Sequence, residues 1–109
     1  MTEEARKYLF DILKAIELIE NFTVGLDNFF IYQNDFKTKS AVERQLGIVG
    51  EAVNQFRRIE TTIMLSNTHQ IIAVRNRLIH SYDSIDDTIV WAIIKKHLPL
   101  LKADVLAFL

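Results

Sequence analysis

Two apolar stripes constrain any fold of this chain. Ala5, Leu9, Ile12, Ile16 and Ile19 recur at spacings of four, three, four and three residues. Val42, Leu46, Val49, Val53 and Phe56 repeat that rhythm. Residues so spaced fall along one side of an α-helix. No stretch alternates apolar and polar residues over six or more positions, so no strand is expected. Glycine (3) and proline (1) are too scarce for a turn-rich all-β fold. The fold class expected is all-α.

Four helical segments follow. The first spans about residues 2–22, with Thr2 as its N-cap and Glu3 and Glu4 set against the helix dipole. Gly25 ends that region. Residues 26–34 form a buried connector with room for one helical turn. The second segment starts at Asp35 or Ser40 and runs to Glu60; Ser40 and Glu43 match a capping box. Gly47 and Gly50 lie inside it, at a cost of about 1 kcal/mol each relative to alanine, and are expected to let another backbone approach. The third segment starts near Asn67, with Gln70 as capping-box partner, and runs to His80. The fourth starts near Ser84 or Asp86, and Pro99 is expected to kink or break it.

The arrangement expected is an antiparallel up-down bundle of four to five helices in one domain spanning 1–109. At 109 residues the chain is long enough for one core without staples. It has no cysteine, hence no disulfide and no thiolate metal site. Tyr8, Phe10 and Leu18 add apolar surface beyond the first stripe, an excess that points to a homodimer. A net charge of −1 steers nothing globally to nucleic acid. Seven basic residues against three acidic ones between Lys37 and Arg77 leave a local surplus of four. With no leader-like N-terminus and no apolar run of membrane-spanning length, the protein is expected in the cytoplasm, away from membranes.

The chemistry is concentrated in the third segment. Arg75, Asn76, Arg77 and His80 interrupt an apolar helix, and Tyr82 and Asp83 follow. At 100° per residue, Asn76, Arg77 and His80 share one face and Arg75, Ile79 and Tyr82 another. Arg75 and His80 stand about 140° apart, so one copy does not aim both at a single point. Two copies related by a twofold axis can. Such a set permits phosphodiester cleavage: imidazole moves protons near neutral pH, guanidinium binds phosphate, and RNA supplies its own 2′-hydroxyl nucleophile. On the residues alone a blander reading is favoured, with Arg75 and Arg77 as ion-paired surface residues and His80 capping the helix dipole. Asp83, Asp86 and Asp87 near His80 are more readily helix-capping residues than a cation site. His97 is expected in the core or an interface, Trp91 in the core, and Glu51 beside a basic residue.

Arg75-Asn-Arg-Leu-Ile-His80-Ser-Tyr82 fits the pattern R-x4-H-x-Y. Three further stretches, Ala41–Ala52, Ile89–Trp91 and Leu98–Leu100, agree with it in order and spacing. Together they resemble the HepT-like ribonuclease toxins of the HEPN superfamily over nearly the whole chain. The resemblance implies a dimerising all-α bundle with a composite active site. It implies metal-independent endoribonuclease activity without a cofactor, with Arg75 on the scissile phosphate, His80 as general acid/base, and Asn76 and Arg77 in support. It also implies a place in a type VII-like toxin–antitoxin module. The partner would be a minimal nucleotidyltransferase that neutralises the toxin by AMP transfer to Tyr82, in a complex that can grow to a higher hetero-oligomer. Ser81 stands where glycine is common in the family, and Asn67-Thr-His-Gln70 where Pro-Trp is common. The alternative is a non-catalytic nucleotide- or RNA-binding partner subunit of a nucleotidyltransferase.

Overall fold

The structure, a computed structural model, describes residues 1–80 and 85–109, and among these every regular element is helical. Helix α1 (Glu3–Phe22) begins where Thr2 Oγ1 accepts the Ala5 N–H at 3.0 Å. Its stripe Ala5, Leu9, Ile12, Ile16 and Ile19 is wholly buried. Gly25, at φ 83°, reverses the chain in a conformation that favours glycine. The connector holds one short helix, α2 (Phe29–Gln33), capped by Asn28 Oδ1 on the Ile31 N–H at 3.0 Å. Its Tyr32 is buried against Trp91, with ring centroids 5.3 Å apart.

Helix α3 (Phe36–Ile59) starts at Asp35, whose Oδ1 accepts the Thr38 N–H at 3.0 Å. The Ser40 capping box is therefore not a helix start: Asp35 caps first, and Ser40 lies exposed inside the helix. The second stripe, Val42 to Phe56, is buried. Helix α4 (Thr68–His80) buries Ile71 and Val74. The expected Asn67–Gln70 capping box gives way to another arrangement. Asn67 takes a left-handed φ of 64°, and its Oδ1 meets His97 Nδ1 at 2.6 Å.

The last run comprises α5 (Asp87–Ala92), a π turn (Ile93–His97) and α6 (Leu98–Phe108). Pro99 explains the π turn. It has no N–H to give the carbonyl four residues back, and its ring crowds that carbonyl. The helix widens just before it, so the expected kink takes the form of a π turn.

Helix α1 packs on α3 and α6, and α3 packs on α4. The core lies between them; full burial of each Leu or Ile side chain there is worth about 1.5–3 kcal/mol. The Lys39–Asp87 ion pair (2.7 Å), with both side chains largely buried, ties α3 to α5. Asp104 Oδ2 accepts the Ser66 N–H at 2.6 Å and pins the approach to α4 onto α6. Among the described residues no helix is long and apolar enough to cross a membrane.

Candidate active site

Arg75 is positioned by the helix behind it. Gly50 of α3 lies directly under it: a Cβ there would overlap Arg75 Cβ, stand 2.8 Å from Arg75 Cγ and 3.3 Å from the Ile71 carbonyl oxygen. The missing side chain lets α4 settle onto α3 at this point, as the sequence suggested for Gly50. Gly47 differs. A Cβ there meets nothing within 4 Å among the described residues. It lies beside an open cavity rather than under a helix.

That cavity has a volume of about 430 Å³. Arg75 and Ile79 of α4 line one side, Gly47, Ile48 and Glu51 of α3 the floor, and Tyr8 and Asp11 of α1 the far side. Arg75 Nη2 donates to Glu51 Oε2 in a close ion pair, and Nη1 donates to Asn76 Oδ1 at 3.1 Å. Arg75 Nε is buried without a hydrogen-bond partner among the described residues. The Gln55 amide donates to Glu51 Oε1 at 2.9 Å; with the charges of Arg75 and Arg58 it holds the Glu51 carboxyl below its ordinary pKa, against the effect of burial. The guanidinium is thus fixed from two sides, with its counter-charge beside it. The expectation that Glu51 pairs with a basic residue holds.

The other residues of the motif separate. His80 is the last residue of α4, exposed, and outside the group lining the Arg75 cavity. Asn76 is exposed and contacts the Arg75 head group. Arg77 points to a different cavity, of about 330 Å³, with His69, Gln70 and His97. Ion pairing absorbs part of the basic surplus, through Arg75–Glu51 and Lys39–Asp87. Tyr82 and Asp83 lie outside the described residues. Among the described residues no group of three or more His, Asp or Glu side chains converges; Asp86 caps α5 through the Thr88 N–H at 2.9 Å.

Sequence reasoning gave no sign of Tyr8 and Asp11 at this site. They are more than sixty positions from Arg75, and only the packing of α1 along α3 brings them there. Ile48 and Ile79 leave large apolar surface exposed at the same rim, 38% and 51% respectively. A basic group beside exposed apolar surface is suited to an anion shared with a second molecule.

Comparison with known proteins bears on the chemistry. Residues 12–107 match the family model described as ribonuclease HepT-like. A Thermococcus cleftensis protein named as a probable ribonuclease HepT is 37% identical over 108 residues, covering 94% of this chain and 93% of that protein. A Methanocaldococcus jannaschii protein, provisionally named an RNase, is 34% identical over 107 residues, covering 94% of each. No solved structure matches the chain.

Proposed function

Because the chain belongs to the ribonuclease HepT-like family, we propose that it is an endoribonuclease that works as a dimer of up-down helical bundles. The carrying observation is the Arg75 guanidinium, held over Gly50 and beside Glu51, on a helix that ends one turn later in an exposed His80. Within one subunit Arg75 and His80 stand about 140° apart around the helix, and His80 is not among the residues lining the Arg75 cavity. A second copy seated on the Ile48–Ile79 rim brings Arg75 of one protomer toward His80 of its partner.

At such a site Arg75 exchanges Glu51 for the scissile phosphate, which accepts the guanidinium bidentately. One His80 imidazole takes the proton of the 2′-hydroxyl as that oxygen attacks phosphorus. The bond to the 5′-oxygen breaks, and the same imidazole, now protonated, gives that oxygen its proton. The products carry a cyclic or 3′-phosphate and a 5′-hydroxyl. Arg75 stabilises the charge that builds on the phosphoryl oxygens. No step needs a metal. Asn76 orients the guanidinium by accepting from Nη1.

In the same reading the protein is the toxin of a toxin–antitoxin pair. Its antitoxin, a minimal nucleotidyltransferase, transfers AMP to Tyr82. Phosphates two residues from His80 fill the site with negative charge and repel RNA.

Purified protein is expected to cut RNA in EDTA, and His80→Ala to lose at least a hundredfold in rate with its fold intact, since the side chain is exposed. Equal decay with both proteins refutes the catalytic role. RNA shifted on a gel but left whole by the wild type identifies the binding-only alternative.

A further inference from the structure

The cavity on the other side of α4 has no role in this chemistry, and its construction is unusual. Its volume is about 330 Å³, at the small end of ligand pockets and of a size for one nucleotide. Buried Val74 and Ile93 form an apolar floor, and His69, Gln70, Arg77 and His97 form a polar rim.

One imidazole in that rim is held in place from outside its own helix. The helix carrying His97 is in a π turn that ends at this residue. His97 Nδ1–H donates to Asn67 Oδ1 at 2.6 Å, and Asn67 holds a left-handed backbone to be there. The neighbouring Ser66 N–H is anchored by Asp104, so the Asn67 turn is itself tied down. An amide oxygen only accepts, so the neutral imidazole keeps its hydrogen on Nδ1 and presents a lone pair at Nε2. The ring is thereby fixed with its Nε2 edge at the cavity rim.

We propose that this cavity is a base-recognition subsite for an RNA nucleotide flanking the scissile phosphate, an assignment that rests on the ribonuclease reading above. A base is flat and apolar on its faces, which suits Val74 and Ile93. Its edge carries donors and acceptors, which suit His97 Nε2 and the Gln70 amide. Its phosphate is met by Arg77. The placement fits a continuous strand. At 1.5 Å per residue along α4, Arg77 lies about 4.5 Å and Val74 about 9 Å before His80. A strand with one phosphate at His80 reaches the cavity with the next nucleotide or the one beyond. Arg77 is about 200° around α4 from Arg75, so a partner seated on the Arg75 side leaves this cavity open.

Cleavage of a randomised RNA pool, with cut sites read by sequencing, tests this for the wild type, Ala73→Trp, Gln70→Ala and His97→Gln. Ala73 is exposed at the cavity, and tryptophan there fills it. The wild type is expected to prefer one base at a fixed distance from the cut by about tenfold, the worth of one or two hydrogen bonds. The preference is expected to fall below about threefold in Ala73→Trp, with Gln70→Ala and His97→Gln showing smaller losses in the same direction. Thermal melting checks that each variant folds, and Gln70→Ala, altered only at an exposed side chain, decides the matter if Ala73→Trp does not. Titration with each 5′-mononucleotide, followed by the His97 ring resonances, supplies a readout independent of cleavage. A saturable shift in the wild type that Ala73→Trp abolishes supports the subsite. Unchanged base preference across the variants overturns it. So does a free mononucleotide that binds as tightly as RNA and leaves the preference unaltered, because the cavity then serves a free nucleotide. A wild type that cuts no RNA overturns the ribonuclease reading, and the flanking subsite with it; saturable mononucleotide binding then establishes a nucleotide site of another purpose.

Discussion

Gly50 and Arg75 occupy one point of a helix crossing: the space a side chain at Gly50 would fill is taken by Arg75 Cβ and Cγ. The residue that binds phosphate in this account therefore owes its position to a hydrogen atom on the helix behind it. Twenty-five positions separate the two in the chain. The contact couples a packing detail to the chemistry.

Gly50→Ala is expected to push α4 off α3 and displace Arg75. Overpacking of this kind costs about 1–3 kcal/mol, which lowers Tm by roughly 5–15 °C in a domain of this size. RNA cleavage should fall with it. Gly47→Ala is the control one turn away, with open space where the methyl group would go. It should leave Tm unchanged or raise it, since alanine gains up to about 1 kcal/mol of helix propensity. Thermal melts of both variants test the contrast; equal losses would contradict it.

Glu51 gives the site a pH signature. Its carboxyl is held below the ordinary value by Gln55 first and then by Arg75, so the folded state favours the ionised form. A lowered folded-state pKa contributes stability above the unfolded value, near 4.5, and loses it as pH falls through the folded value. The wild type should therefore lose more stability than Glu51→Gln between pH 5 and pH 3. The pair is partly open to solvent, so 0.5 M salt should shrink the difference. Melts at the two pH values measure this, and parallel losses in both proteins would count against it. At neutral pH Glu51→Gln should also bind RNA a few-fold more tightly, because a negative charge competing for Arg75 is gone.

The regulatory reading concerns Tyr82. Incubated with a minimal nucleotidyltransferase and ATP, the protein should gain mass in steps of one AMP and lose RNA cleavage in proportion. Tyr82→Phe should gain none and stay active. Intact-protein mass spectrometry reads both, and AMP addition persisting in Tyr82→Phe would place the modification on another residue.

Much of the fold was legible because its signals are local. The stripes Ala5–Ile19 and Val42–Phe56 report burial through spacing alone, and Thr2 announces the start of α1 through its own hydroxyl. Pro99 disturbs the helix because of its own ring, and the disturbance takes the form of a π turn just before it. What escaped depends on distance along the chain. Ser40 looks as good a cap as Asp35, and only the structure decides between them. Asn67 reads as a helix cap until His97, thirty residues later, claims its side chain. The site divides in the same way. The Arg75, Asn76, Arg77 and His80 cluster is visible as polar residues in an apolar helix. Tyr8, Asp11 and the second cavity are not, because α1 and the π turn reach α4 only in three dimensions.

The central claim is that Arg75 of one protomer and His80 of its partner serve one phosphate. Arg75→Ala and His80→Ala chains carrying different affinity tags, co-expressed and purified as the mixed dimer, test it directly by RNA cleavage in EDTA. Each parent alone should be inactive, and the mixed dimer, which keeps one intact pair across its interface, should recover a substantial fraction of wild-type cleavage. A mixed dimer as inactive as its parents, or a wild type that stays monomeric while it cleaves, would contradict the account.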